Sequence, residues 1–424
     1  MTRRRCRRSP VLVIGVLVLS TMIVAATVYS HGADDVDIAA ETMKEFPLGT
    51  ATPSEDCGAC HHAIYQEFAE GFGADLQYGT ILYEAPAGKK LIGVPAMRSL
   101  ATFHAQAGTD PFPLHARDME AEGRSCTVCH YPEPFEIPDS NIADVPKPTP
   151  RPKDQEGGGL TCASCHLTPD GKIRGPYDVD APHETVRDPK IRTSAMCALC
   201  HSEGKRVIGK QTQTFLEWRE DFNKPGLGTE QCQDCHMVRT LRKMAEDFDV
   251  PIRVGSRHLW TGGHSPRRVR SALSMVIVQA ETRQPKLDFH VINVGAGHSA
   301  PTGSNRRAVY LRAELLDRNG TVVAREEWMF APWFTDRPDD RKYLEEDRKR
   351  PNPLSFLQAD AQGPHEPPIR AGEDRILSWA PKLPAGDYTV RARLIYDLNR
   401  YNDPNYTGDQ TEMFRGSLTI QVAK

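Results

Sequence analysis

The sequence Cys-X-X-Cys-His occurs five times in this chain, and no other feature limits its fold as much. The copies are Cys57-Gly58-Ala59-Cys60-His61, Cys126-Thr127-Val128-Cys129-His130, Cys162-Ala163-Ser164-Cys165-His166, Cys197-Ala198-Leu199-Cys200-His201 and Cys232-Gln233-Asp234-Cys235-His236. They take ten of the eleven cysteines and leave only Cys6 alone. Two thiols at this spacing bond to the vinyl groups on one porphyrin edge, and the next residue's imidazole swings under the ring to hold the iron. Zinc ribbons, thioredoxin-like redox pairs and disulfides also use Cys-X-X-Cys. None of these requires histidine at the following position five times out of five. The motifs therefore imply five covalently bound haems c, with His61, His130, His166, His201 and His236 as proximal iron ligands.

The rest of the composition agrees with an interior filled by cofactor. At 424 residues the chain is long enough for two or three domains, yet only 39% of it is hydrophobic and 33 residues are proline. Covalent haem attachment follows export, and the amino terminus has the corresponding pattern. Arg3, Arg4, Arg5, Arg7 and Arg8 precede an apolar run from Val11 to Tyr29, the basic-then-apolar order of a secretory signal. Residues 1–30 are read as a signal peptide or a signal anchor. The run approaches the ~20 residues that span a bilayer, and Val28-Tyr29-Ser30 is only a fair cleavage site, so both readings stand. The expected location is the periplasm or the outer face of the cytoplasmic membrane. Cleavage near residue 30 would remove five arginines and no acid, taking the net charge from −3 to −8. Such a surface disfavours nucleic acid and suits basic redox partner proteins.

Residues 31–55 read as a tether and 56–268 as a loop-rich, mainly α pentahaem domain. The second to fifth motifs recur about every 35 residues, a repeat that packs successive haems side by side. The first lies about twice as far from the second, which sets haem one, or haems one and two, apart. From 269 to 424 the pattern changes to short alternating strands: Leu273–Glu281, Leu287–Val294, Ala308–Leu316, Thr321–Phe330, Ile376–Ala380, Tyr388–Tyr396 and Ser417–Val422. Seven strands of this kind predict an immunoglobulin-like antiparallel β-sandwich, with Trp333–Pro368 as a long loop. The fold class is α+β by domain.

Each iron has a second axial position, whose occupant separates an electron carrier from an enzyme. His183 lies midway between the third and fourth motifs. His258 and His264 follow the fifth, in His258-Leu259-Trp260-Thr261-Gly262-Gly263-His264. His298 sits in Gly295-Ala296-Gly297-His298-Ser299-Ala300-Pro301, between two predicted strands. These four are the leading distal ligands. His62 cannot reach the iron of His61 but is placed for a neighbouring haem. One of His104 and His115 completes the set, with His115 the choice here. His290 and His365 read as structural.

These motifs resemble those of the multihaem cytochromes c related to the tetrahaem electron acceptor of hydroxylamine oxidoreductase. The matching pieces are Asp56 to His61 with Tyr65 and Phe68, the Pro182-His183 segment, Glu217-Trp218, and Cys232 to Met237. The Gly-Gly-His and Gly-His-Ser-Ala-Pro-Thr-Gly segments are similar to those of larger relatives with a carboxy-terminal β-domain. The resemblance implies stacked bis-histidine haems and electron transfer, with His183, His258, His264 and His298 as distal ligands. It departs after the first motif, where Glu70-Gly71-Phe72-Gly73-Ala74-Asp75 stands in place of a Ser-X-His segment. Either another histidine serves there, or one iron has an open face that acts on a small nitrogen or sulfur compound.

Overall fold

The computed structural model describes residues 48, 52–70, 79–84, 91–96, 129, most of 132–151, 160–202, 213–281, 285–303, 307–332, 366–398, 400 and 410–423. The signal segment, almost all of the tether, Cys126, His104, His115, His130, His365 and most of the Trp333–Pro368 loop lie outside the described residues.

The first half is built from short helices and two-stranded sheets. The helices are α1 (Ser54–Gly58), α2 (His62–Tyr65), α3 (Cys162–His166), α4 (Ala195–His201), α5 (Thr214–Glu217), α6 (Cys232–His236) and α7 (Pro266–Arg270). A wider π turn extends α2 over Gln66–Glu70, and another extends α5 over Trp218–Asn223. Motifs three, four and five thus each lie on a helix of their own. At motifs three and five the residue before the first cysteine is the helix cap. The Thr161 backbone N–H donates to Ser164 Oγ at 3.0 Å, and the Gln231 N–H to Asp234 Oδ2 at 2.9 Å. The second variable residue of each motif is therefore chosen by the need to satisfy a helix end.

The expectation of a mainly α haem region is incomplete. β1 (Gly79–Glu84) pairs antiparallel with β2 (Leu91–Ala96), β3 (Ile173–Gly175) parallel with β4 (Thr185–Arg187), and β5 (Arg239–Arg242) antiparallel with β6 (Arg253–Ser256). Strands of three to six residues are too short to set up a readable alternation.

The carboxy-terminal region is two antiparallel sheets sharing one core. Strands β7 (Leu273–Glu281), β8 (Lys286–Asn293) and β11 (Asp374–Trp379) form a sheet ordered β11-β8-β7. Strands β9 (Ala308–Leu316), β10 (Val322–Phe330), β12 (Gly386–Asp397) and β13 (Gln410–Val422) form the other, ordered β10-β9-β12-β13. Alternate residues Leu287, Phe289 and Val291 of β8, Val309, Leu311, Ala313 and Leu315 of β9, and Val390, Ala392 and Leu394 of β12 meet in that core. Six of the seven strands lie within about two residues of their expected bounds. The last starts at Gln410 rather than Ser417. Its first half carries buried Thr411 and Met413 among polar neighbours and contains Gly416, so it does not read as strand from sequence. Helix α7 straddles the expected boundary at 268/269, with Ser265 Oγ accepting from the Arg268 N–H at 3.3 Å.

Candidate metal centres

Three motif histidines face three of the distant histidines. His61 and His183 have ring centroids 6.4 Å apart, His166 and His258 6.2 Å, and His236 and His298 6.1 Å. An iron between two imidazole nitrogens at about 2 Å each, with about 1.1 Å more from each nitrogen to its ring centre, separates centroids by roughly 6.2 Å. All three pairs stand at that spacing. Their planes cross at 47°, 32° and 15° respectively.

Hydrogen bonding aims the rings. Nδ1 donates to the carbonyl of Met244 from His61 (2.6 Å), of Arg174 from His166 (3.0 Å), of Thr261 from His236 (2.7 Å), of Ser256 from His258 (3.1 Å) and of Ser299 from His298 (2.9 Å). A carbonyl only accepts, so the proton is on Nδ1 and the Nε2 lone pair is left for a metal. Burial favours the neutral ring at His166, His236, His258 and His298. It brings His236 and His258 down to about 4, with the partner imidazole adding to the effect in each case. His166, His183 and His298 are lowered by burial as well.

Burial pushes Cys165 up to about 12 and raises Cys60 and Cys235, while hydrogen bonding with Cys57 and Cys197 lowers Cys162 and Cys232. None of the nine described cysteines is in a disulfide. Among the described residues no three His, Cys, Asp or Glu converge as a protein-only metal site requires. A haem iron asks the protein for two axial ligands only, and the three histidine pairs fit that demand.

The motifs interlock in pairs. Ser54, three residues before Cys57, accepts the Cys162 backbone N–H at 3.2 Å, and Ser194, three residues before Cys197, accepts that of Cys232 at 3.0 Å. Ser194 in turn donates its backbone N–H to Gln231 Oε1 at 2.8 Å. The Cys57 and Cys162 thiols are in hydrogen-bond contact, as are those of Cys197 and Cys232. Motif one is therefore joined to motif three, not set apart, and four to five. Serine at the third position before a motif is the sequence signal for this, visible only once its target is known.

The distant partner histidines come from irregular backbone tied to several elements. Trp260 has φ of 43°, a left-handed turn. It lets one short segment present His258 to His166 and, one residue past the turn, Thr261 to His236. The His298 loop is held by buried Asn293, whose Nδ2 donates to the carbonyls of His298 (2.9 Å) and Ile369 (3.1 Å) and whose Oδ1 accepts from Ala296 N–H (3.1 Å). Glu217 Oε2 accepts from Thr302 Oγ1 (2.7 Å) and Ser299 N–H (3.3 Å). A Cβ at Gly295 would lie 1.8 Å from the Ser271 carbonyl, so only glycine passes there.

The remaining candidates fall elsewhere. His62, expected at a neighbouring haem, instead places Nε2 2.7 Å from Asp247 Oδ2 on an exposed face. An imidazole beside a free carboxylate is better satisfied as an ion pair, and Asp247 raises its pKa. His264 is buried with Nε2 3.3 Å from Arg307 Nη2. His201 ends α4. His290 lies in β8 against Asp374 at 2.9 Å, a structural role as expected.

Comparison with protein-family models and with curated proteins finds no match. Among solved structures, the chain is similar to a penta-haem cytochrome c552 from Thermochromatium tepidum, at 16% identity and a TM-score of 0.46 over 88% of this chain and 99% of that one. It is also similar to a β-glucuronidase of glycoside hydrolase family 2, at 7% identity and a TM-score of 0.16 over 36% of this chain and 11% of that one.

Proposed function

We propose that this chain is an exported multihaem c-type cytochrome that passes single electrons between redox partner proteins. The observation that carries the reading is the set of three imidazole pairs at 6.1 to 6.4 Å, each joining a Cys-X-X-Cys-His histidine to one far away in sequence. Cysteines would supply thioether bonds, and the paired histidines both axial ligands. When bound, haem supplies one-electron chemistry, and a site closed on both faces by imidazole exchanges electrons without binding substrate. The protein's part is to hold ligand planes, exclude water and tune potential.

Five haems c are expected, one per motif, with His264 and His115 as distal candidates for the second and fourth. The serine locks bring motif one against motif three and motif four against motif five, which favours short electron steps within each pair. The carboxy-terminal sheets, read as an immunoglobulin-like sandwich, supply His298 to motif five and brace its loop through Asn293. The test is a pyridine haemochrome count on the purified holoprotein, together with the oxidised optical and electron paramagnetic resonance spectra with and without cyanide. Five haems and low-spin irons inert to cyanide are expected. A chain without haem would overturn the reading, and one high-spin, cyanide-binding iron would move it from relay to enzyme.

A further inference from the structure

Glu67 follows motif one by six residues and is buried, with only 3% of its side chain exposed. An isolated carboxylate in such a place is costly unless paired. Three donors surround it. Arg242 binds it through both terminal nitrogens, Nη1 at 3.1 Å from Oε2 and Nη2 in close contact with Oε1. Arg257 Nε lies 2.8 Å from Oε1, and the backbone N–H of His258 donates to Oε2 at 3.0 Å. Arg242 is the last residue of β5, and Arg257 and His258 leave β6, so a single acid from the first-motif segment grips both strands of that hairpin. The neighbouring Phe68 packs edge-on to Trp260 at 5.7 Å, and Trp260 edge-on to His258 at 5.4 Å. The ring of His258 is thus fixed from its backbone and from its flank.

We infer that Glu67 is the positioning residue for the iron of motif three, orienting His258 through its backbone N–H and setting that iron's potential by its charge. The inference rests on the haem reading above and adds a role that the ligand set alone does not contain. A fixed negative charge beside a ligand stabilises the oxidised, more positive iron, and the two guanidinium groups oppose it. Removing the anion or one cation must therefore move the same potential in opposite directions, whereas general loosening of the fold would move both variants alike.

The experiment is spectroelectrochemical titration of the intact holoprotein as wild type, Glu67→Gln, Glu67→Asp and Arg257→Gln, each with a haem count and low-spin resonance spectrum. The haem concerned is identified as the one that turns high-spin in His258→Gly. Glu67→Gln is expected to raise its potential, with at least a tenfold shift of the reduced-to-oxidised ratio, equal to about 59 mV, and to alter its g values. Glu67→Asp keeps the charge and leaves the potential close to the wild-type value, and Arg257→Gln lowers it. Unchanged potentials, equal shifts at all haems, or shifts of the same sign in both charge variants would overturn the inference while leaving the haem reading intact. If Glu67→Gln yields no holoprotein, Arg257→Gln decides alone: a fall at that one haem supports the role and no change refutes it. A wild-type chain without haem overturns the underlying reading instead.

Discussion

Replacing His298 by glycine would remove one half of the pair with His236 and should open one iron while leaving the others closed. The pair is the most nearly parallel of the three, with planes 15° apart and centroids 6.1 Å apart. Deleting one imidazole at that spacing leaves a slot the size and orientation of the lost ring. The loop has no other reason to collapse. Asn293 binds its backbone at both ends of the turn, and Glu217 holds Ser299 and Thr302, none of them through the His298 side chain. With five motifs in the chain, one haem in five, about 20% of the haem absorbance, should pass from low to high spin. The ligand-to-iron charge-transfer band of the oxidised protein and an axial high-spin resonance measure that fraction. Millimolar imidazole should reverse it, because the vacated slot accepts the same ring. A variant that stays wholly low-spin without added imidazole, with its haem count unchanged, would refute the pairing of His298 with motif five.

In the wild-type spectrum the three pairs should differ. The planes at 15° favour a rhombic low-spin signal, while those at 47° favour a larger anisotropy, checked by simulating the resonance spectrum of the oxidised protein. Ser194→Ala deletes the acceptor for the Cys232 N–H and should cost about 1 kcal/mol, as loss of a helix cap does; guanidinium unfolding reads the change, with the haem count unaltered. Phe289→Ala, at a fully buried core position of β8, should cost about 3–5 kcal/mol and leave the haem spectra unchanged. Acid should weaken the grip of Glu67. Burial alone would raise its carboxyl, but Arg242, Arg257 and the His258 N–H outweigh burial and hold it below the ordinary range. A group depressed in the folded state contributes stability above its unfolded pKa and loses it as pH falls through the folded value. Stability measured from pH 6 downward should therefore fall more steeply below about pH 4 for the wild type than for Glu67→Gln; parallel curves would count against it.

Much of the candidate site is legible in the sequence. Under the proposed reading Cys-X-X-Cys-His carries its chemistry locally, because attachment and proximal ligation would use residues adjacent in sequence. His183, His258 and His298 stood out by their place among motifs and glycines, and the structure sets each opposite a motif histidine. The alternation in β8, β9 and β12 was equally plain, since a two-residue period is local. What the sequence could not decide was which distant residue meets which motif. Nothing near Ser54 says that its hydroxyl caps the helix of motif three. The regular spacing of motifs two to five pointed instead to neighbours in order. His62 sits where a second ligand would be convenient, yet Asp247, 185 residues away, takes it. Glu67 shows the same division: by sequence it is one acid on a polar turn, and it becomes a buried anchor because the β5–β6 hairpin folds back to bring two arginines and a backbone N–H around it. Covalent chemistry and period are properties of short segments. Pairing across the chain is a property of closure, which only the tertiary structure supplies.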